Sequence, residues 1–140
     1  MRVFPDTNVL VSALTARGLC SDVLRVVLAE HDLVVGEVVL GELRRVLAER
    51  FRVPPERVKE AETYLRTFEV VGRPKRPADV AIRDESDRWV LASALACRAD
   101  ALVTGDADLL KVGNWQTLRV LSPRAFWEEL RRGMRGRGDR

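Results

Sequence analysis

The chain contains few of the residues on which zinc-binding and secreted domains rely, with two cysteines and one histidine among its 140 residues. Cys20 and Cys97 lie far apart, and neither has a second cysteine or a histidine at metal-ligand spacing. This excludes a disulfide framework and a cysteine–histidine zinc site. A Ser-His-Asp triad would need His31 as its base, and nothing in the predicted polar turn around His31 suggests that role.

Long apolar runs are also absent. No stretch approaches the ~18–20 residues that a membrane span needs. The acidic Asp6 interrupts the N-terminus before the apolar core of a signal peptide could form. The length and an apolar content of 46% fit one folded domain and exclude a disordered polymer. We therefore expect a soluble, cytoplasmic protein that does not enter the membrane.

Lysine is scarce, and the basic charge comes mainly from arginine residues that are unevenly distributed. The chain carries a formal net charge of +3, but residues 131–140 alone carry +4, which leaves −1 for residues 1–130. We expect a nearly neutral folded domain over 1–130 and a basic, disordered tail over 131–140. Contact between this tail and RNA is the less favoured interpretation.

Short apolar segments alternate with longer amphipathic segments along the chain. After Gly36, for example, Val39, Leu43 and Val46 recur at helical spacing. This alternation predicts an α/β fold, a single-domain α/β/α sandwich with a central parallel sheet of four to five strands. The predicted strands are 2–5, 33–35, 69–71, 101–104 and 118–121. The predicted helices are 9–14, 21–30 with Ser21 as N-cap, 37–51, 55–68, 85–99, 106–111 and one that starts at Pro123.

Two aspartates lie at the ends of predicted strands. Asp6 follows the first strand, which Pro5 should close because proline cannot donate to a central ladder. Asp106 lies two residues beyond Thr104, the end of the fourth strand. Open α/β sheets bind ligands at the carboxyl ends of their strands, so these carboxylates would face one crevice if the strands are neighbours. The alternative is that each aspartate only caps the helix that follows it.

Two further acids lie on or beside the apolar faces of predicted helices. Glu42 falls at the border of the apolar stripe of its helix, and Asp87 shares a face with Leu91 and Ala94. If Asp84 is the N-cap, Asp87 lies in the first turn, where the helix dipole favours an anion by ~0.3–1 kcal/mol. That alternative explains the charge of Asp87 but not its position on the apolar face.

Converging carboxylates need a counter-charge, because a half-buried carboxylate is costly unless it is paired. In the absence of cysteine and histidine ligands, an all-oxygen site favours Mg²⁺ or Mn²⁺. Four acids can hold one or two such ions, an arrangement used to hydrolyse phosphodiesters. The residues therefore predict a metal site formed by Asp6, Glu42, Asp87 and Asp106.

Other phosphate-binding sites fit less well. The turn after the first strand reads D-T-N instead of the GxGxxG of a dinucleotide-binding domain. Gly36 and Gly41 have the spacing of a P-loop, but Glu42 stands where the lysine should be. A phosphatase of the haloacid dehalogenase type would need a second aspartate where this chain has Asn8.

Four segments together resemble the motifs of PIN-domain nucleases. They occur in the order of that family, and the resemblance covers residues 2 to about 127. The subgroup most similar in appearance is that of the VapC-like toxins of toxin–antitoxin pairs. The segments are Asp6-Thr7-Asn8-Val9, Glu42-Leu43 in the helix after the second strand, DESDRWVLA at 84–92 and ADALVTGDADLL at 99–110.

The resemblance implies a metal-dependent ribonuclease in which Asp6, Glu42, Asp87 and Asp106 form the acidic quartet and use Mg²⁺ or Mn²⁺. In the expected mechanism Asp6 and Asp87 anchor the metal, and Glu42 and Asp106 complete its shell directly or through water. An activated water would attack the phosphorus in line, so that a 5′-phosphate is left and the 2′-hydroxyl takes no part.

Further residues are assigned by position within the same motifs. Asn8 would be a supporting polar residue, and Thr104 would orient the site through its hydroxyl. Asp84 is the alternative third acid, and Asp108 is the alternative fourth acid because the last motif varies within the family. Pro5 departs from the aliphatic residue expected at the strand end, which would shift Asp6 slightly.

The expected partners follow from the same resemblance. RNA would be the substrate and a small antitoxin protein a possible partner, and the helix at 55–68 could join two copies in a homodimer. Alternatives are an RNA-binding module of PIN fold with little turnover and an RNA-processing nuclease without an antitoxin. Candidates for holding the RNA backbone, most exposed arginines being only solvated, are Arg17, Arg44, Arg45, Arg50 and Arg52.

Overall fold

The computed structural model describes the backbone of residues 1–138 and the side chains of residues 1–133. Strands alternate with helices, as the sequence predicts. The strands are β1 (Arg2–Pro5), β2 (Asp32–Gly36), β3 (Glu69–Val71), β4 (Ala101–Val103) and β5 (Arg119–Leu121). The helices are α1 (Thr7–Thr15), α2 (Leu19–Glu30), α3 (Glu37–Glu49), α4 (Pro55–Leu65), α5 (Glu85–Ala96), α6 (Ala107–Val112) and α7 (Pro123–Gly138).

The five strands form one parallel sheet in the order β3-β2-β1-β4-β5. Val3 of the central strand lies opposite Leu33 on one side and Ala101 on the other. The strand order reverses direction between β1 and β4, which is where ligands bind in folds of this kind. The predicted α/β/α sandwich with a parallel sheet is confirmed, with five strands.

The core covers both faces of the central strands. Phe4, Val34 and Leu102 are completely buried, and so are Leu10 of α1 and Leu91 of α5. Strands that are buried on both faces are apolar throughout, and this explains why they are visible as short apolar runs in the sequence. Among the described helices, none has the length and apolar character to cross a membrane.

Pro5 is buried at the last position of β1 and does not end the pairing with β4. The backbone N–H of Asp6 donates to the carbonyl of Val103 at 2.8 Å, one residue beyond the proline. A proline is tolerated here because its missing N–H is not needed for this contact. Asp6 is therefore anchored to β4 by its own backbone.

The beginnings of α1 and α2 differ from the prediction. The first helix begins at Thr7, two residues early, because the carboxylate of Asp6 accepts the Thr7 N–H. The N-cap of α2 is Gly18 and not Ser21. The Ser21 hydroxyl instead reaches back, accepting the Gly18 N–H at 3.1 Å and donating to its carbonyl at 2.9 Å.

Helix ends also differ, because end signals are weak where proline and glycine are missing. The α4 helix ends at Leu65 and α5 at Ala96, each three residues before the predicted end. Two residues beyond Ala96, Arg98 adopts a φ of 58°, a left-handed conformation that ends a helix. At the other extreme, α7 continues to Gly138, through most of the segment expected to be disordered. Residues 139 and 140 lie outside the described residues.

Gly36 allows α3 to start close to the central strand. A Cβ atom at this position would lie 2.7 Å from Cζ of Phe4, a completely buried side chain. Any larger residue would therefore displace α3 or the Phe4 ring. This close approach fixes the helix that carries Glu42.

Candidate metal centre

The carboxyl ends of β1 and β4 bring two of the predicted acids to the same edge of the sheet. Asp6 follows β1 and caps α1, and Asp106 follows β4 and caps α6 by accepting the Asp108 N–H at 2.8 Å. Both aspartates therefore cap the helices that follow them, as the alternative interpretation of the sequence predicts. They also line one cleft, so capping does not account for their full arrangement.

Asp6 is buried and held by three hydrogen-bond donors. Its Oδ1 accepts the Thr7 N–H at 2.8 Å, and its Oδ2 accepts the Thr104 hydroxyl at 2.7 Å and the Asn8 amide at 3.1 Å. Burial raises the pKa of Asp6, and the hydrogen bonds from Thr104 and Thr7 partly offset that effect. The negative charges of Glu42 and Asp106 raise it further. The network fixes the position of Asp6 and leaves carboxylate lone pairs unused.

Asn8 and Thr104 connect β1 to the loop after β4. The Asn8 Oδ1 accepts the Gly105 N–H at 2.8 Å, while its Nδ2 donates to Asp6. The Thr104 hydroxyl donates to Asp6 and accepts the Asp106 N–H at 3.0 Å. These contacts tie the two aspartates together, and the supporting roles expected of Asn8 and Thr104 stay predictions.

Glu42 reaches the same cleft from α3. It is half-buried, as its place at the border of the apolar stripe predicts. Its Oε2 accepts the Thr7 hydroxyl at 3.3 Å, which links the second turn of α3 to the start of α1. Thr7 is thus a contact of the site that the sequence motif contains but that sequence reasoning did not assign.

Asp87 has the least compensated charge in the cleft. It lies in the first turn of α5, with Asp84 as the N-cap, and its residue surface is 6% exposed. Its Oδ2 is buried and has no hydrogen-bond partner among the described residues. Burial raises the pKa of Asp87 to about 7, helped by the charges of Asp106 and Asp6. The helix dipole alone does not explain a buried carboxylate oxygen without a donor.

The four predicted acids and Asp84 all line one cleft of about 260 Å³. One carboxylate oxygen from each of Asp87, Asp106 and Asp108 lies within 4.8 Å of the others, although Asp108 does not line the cleft. Asp106 and Asp108 are therefore both close to Asp87, and the choice between them as the fourth acid stays a prediction. Asp6 and Glu42 face the same space from β1 and α3.

This donor set fits a divalent cation. All the candidate ligands are oxygen atoms, which Mg²⁺ and Mn²⁺ prefer. The unpartnered Oδ2 of Asp87 and the raised pKa values of Asp6 and Asp87 both indicate an excess of negative charge that the protein itself does not neutralise. A cation in the cleft would supply the missing partner.

The five candidate arginines differ in whether they line the cleft. Arg50 lines the cleft, and no ion pair engages it within the part of the chain that the structure describes. Arg44 pairs with Glu62 at 2.8 Å, and Arg17, Arg45 and Arg52 are exposed residues that do not line the cleft. The structure thus brings one of the five to the acids.

Sequence reasoning missed several residues of the cleft wall. Phe51 is the most exposed of them among the large apolar side chains, at 48%. The available signal was its position between Arg50 and Arg52, a charged context that is unusual for a core aromatic residue. The other residues missed are Thr7, Val11, Ser12, Val46 and Ser86.

Comparisons with known proteins agree with this fold. A family model described as PIN domain matches residues 2–108. The chain is similar to the solved structure of VapBC2 from Rickettsia felis bound to a DNA fragment from its promoter, with a TM-score of 0.64 and 15% identity over 87% of this chain and 98% of that chain. It is also similar to VapC20 from Mycobacterium tuberculosis, a toxin that cleaves the sarcin–ricin loop, with a TM-score of 0.57 and 19% identity over 84% and 98%. No curated protein sequence matches.

Proposed function

Because the chain belongs to the PIN domain family, we propose that it is a ribonuclease that uses Mg²⁺ or Mn²⁺ to hydrolyse RNA phosphodiester bonds. The observation that carries this proposal is the buried Oδ2 of Asp87, which has no partner among the described residues in a cleft lined by three other predicted acids. A binding cleft for a polyanion would normally be basic. An acidic cleft can bind RNA when a bound cation neutralises its carboxylates.

The proposed ligands are Asp6, Asp87 and Asp106, with Glu42 and Asp108 completing the shell directly or through water. When bound, a divalent ion would activate a water molecule and neutralise charge on the phosphate oxygens. The protein's own contribution is rigidity. Thr104 and Asn8 hold the Asp6 carboxylate by the hydrogen bonds described above, so the ligand does not need to reorganise when substrate arrives.

The proposed reaction is direct hydrolysis. Water attacks phosphorus in line with the O3′ leaving group, the P–O3′ bond breaks, and the products carry a 3′-hydroxyl and a 5′-phosphate. The 2′-hydroxyl takes no part, so a 2′,3′-cyclic phosphate should not form. Detection of that cyclic product, or undiminished cleavage in excess EDTA, would contradict the proposal.

The direct test is Asp6→Asn, with Asp79→Asn as the control because Asp79 is exposed and does not line the cleft. We expect Asp6→Asn to abolish RNA cleavage in Mg²⁺ or Mn²⁺ and Asp79→Asn to retain it. If cleavage and toxicity on expression both survive in Asp6→Asn, the enzyme proposal fails. If the wild-type protein binds RNA without cleaving it, the chain acts as an RNA-binding module.

We further propose that the protein acts in the cytoplasm as the toxin of a toxin–antitoxin pair. The fold similarity to VapBC2 and to the VapC20 toxin supports this role. A neighbouring gene for a small antitoxin whose product binds the chain and suppresses cleavage would be the expected finding. Cleavage without such a partner would favour an RNA-processing nuclease. A homodimer through α4 is also proposed, and a monomeric mass by light scattering would contradict it.

A further inference from the structure

Phe51 lies where the acidic cleft meets a second, more apolar cavity. It lines the cleft together with Glu42, and it also lines an adjoining cavity of about 430 Å³ whose walls include Leu14 and Leu47. Almost half of its surface is exposed. A large aromatic ring in this position offers a flat apolar surface beside the metal ligands, and the proposed mechanism does not use it.

The backbone holds the ring at this rim by an unusual turn. The N–H groups of Arg50 and Phe51 both donate to the Val46 carbonyl, at 3.0 and 3.3 Å. The next residue, Arg52, has a φ of 51°, the left-handed conformation that usually requires glycine at the end of a helix. The N–H of Val53 then donates to the Leu47 carbonyl at 2.9 Å. Arg52 ends α3 as Arg98 ends α5, and the hydrogen bonds on either side of it fix the backbone around Phe51.

The charge beside the ring suits a nucleic acid strand. Glu42, Val46 and Arg50 lie at i, i+4 and i+8 and therefore share one face of α3 and its C-cap. Along this face the Glu42 carboxylate comes first, the Arg50 guanidinium follows two turns later, and the Phe51 ring is next to it. No described ion pair occupies the Arg50 guanidinium, which therefore remains available for a phosphate. An aromatic ring beside a basic side chain is the pattern by which proteins bind single strands.

We propose that Phe51 is a stacking platform for an unpaired nucleobase next to the phosphodiester in the acidic cleft, with Arg50 on an adjacent phosphate. This inference rests on the proposed ribonuclease function and assigns Phe51 and Arg50 as residues that position its substrate. A base within a regular duplex has both of its faces covered by its neighbours and cannot stack on the ring.

The experiment compares two short single-stranded RNAs in the Asp6→Asn background, which prevents cleavage. One RNA contains 2-aminopurine at a single position, and the other has an abasic residue there. Affinity is measured by fluorescence anisotropy from an end label, and stacking by quenching of 2-aminopurine, with the label and the modified position moved along the strand. The variants are Phe51→Ala, Phe51→Trp and, as the surface control, Asn114→Ala, since Asn114 is exposed and lines neither cavity.

We expect Phe51→Ala to weaken binding of the base-containing RNA about tenfold to a hundredfold and to abolish quenching at one position. Its affinity for the matching abasic RNA should stay unchanged, Phe51→Trp should restore both signals, and Asn114→Ala should behave as the parent protein. Equal affinities of Phe51→Ala and parent for the base-containing RNA, or an equal loss on both RNAs, would overturn the proposal.

The two proposals fail separately. If the wild-type protein cleaves RNA but Phe51→Ala shows no base-dependent loss, the stacking inference is wrong and the ribonuclease stands. If the base-dependent loss is found but the wild-type protein does not cleave in Mg²⁺ or Mn²⁺, the stacking inference stands and the ribonuclease is wrong. Failure of both the wild-type protein and the Asp6→Asn protein to bind either RNA would overturn the stacking inference directly.

Discussion

Two groups of acidic side chains on this protein lie in opposite electrostatic surroundings. On the surface between α3 and α4, Glu37 and Glu62 pair with arginines: Arg66 bonds both glutamates, at 2.6 and 2.9 Å, and Arg44 bonds Glu62 at 2.8 Å. Hydrogen bonds from Arg66 lower the pKa of Glu37. Burial would raise the pKa of Glu62, but its two arginine partners lower it overall.

In the cleft at the carboxyl ends of the strands, the conditions are reversed. Burial and neighbouring acids raise the pKa values of Asp6 and Asp87, and no arginine or lysine pairs with either carboxylate among the described residues. The surface acids are neutralised within the chain, while the cleft acids are not. The contrast supports the proposal that a cation from outside completes the second group.

The largest effect should come from removing the least compensated carboxylate. Asp87→Asn should lower RNA cleavage by about a thousandfold or more, because transition-state stabilisation by a metal contributes several kcal/mol. Cleavage rates in saturating Mn²⁺ measure this, beside Glu62→Gln as the counterpart from the surface group. Similar rates for the two variants would remove the distinction between the groups.

A smaller loss should follow from loosening the support of Asp6. Thr104→Val removes the hydroxyl that donates to Asp6 while keeping the shape, so it should cost about 10–100-fold in metal affinity or activity. Thr104→Ser retains the hydroxyl and should restore most of the metal affinity. If Thr104→Ser is as impaired as Thr104→Val, packing and not the hydrogen bond is what matters at this position.

The two groups should also have opposite effects on the pH dependence of stability. The folded-state pKa of Asp87, about 7, lies above the unfolded value of 3.8, so the native state holds the extra proton between these values. Without divalent ions, the Asp87 contribution should therefore make the free energy of unfolding fall as pH rises from about 4 to 7. For Glu37 the sign is reversed, because its lowered pKa adds stability that is lost as pH falls through the folded value.

Asp87→Asn measures this contribution. In EDTA at pH 8 the variant should be more stable than the wild type by about 1–3 kcal/mol, because a buried charge without a partner is removed. Urea unfolding measured from pH 4 to 8 should show that the unfolding free energy falls less steeply with pH in the variant than in the wild type. Identical slopes would mean that Asp87 is not buried as a charge.

The smallest effect is expected in the surface group. Glu62→Gln should cost less than about 1 kcal/mol of unfolding free energy, because exposed ion pairs contribute little and salt screens them. The loss should shrink further between 0.05 and 0.5 M salt, values chosen on either side of about 0.1 M, where the screening length is near 10 Å. A loss that does not respond to salt would indicate packing rather than charge.

The fold was largely predictable because its signals are local. The apolar runs at β1, β2 and β4 result from burial on both faces, and this burial leaves a pattern in the sequence itself. Helix boundaries were less predictable where backbone geometry decides them. Gly18 caps α2 and is hydrogen-bonded to the Ser21 side chain, and Arg98 ends α5 in a left-handed conformation. Neither feature can be predicted from the residue types.

The residues of the candidate site were likewise predictable only in part. Asp6, Glu42, Asp87 and Asp106 were predictable because an acid on an apolar face or at a strand end is conspicuous, and the structure places all four around one cleft. The proximity of Asp108 to Asp87 and the position of Phe51 depend on how α6 and the end of α3 are oriented. These are tertiary features without a local signal.

The proposal that a cation completes the cleft acids is tested most directly by calorimetric titration with Mn²⁺ near pH 6.5. Wild type and Asp79→Asn should bind the ion and release protons, seen as a binding heat that depends on the buffer, because the metal displaces the proton of Asp87. Asp87→Asn should bind at least tenfold more weakly, with little proton release. Undetectable binding to the wild type, or equal binding by Asp87→Asn, would contradict the account.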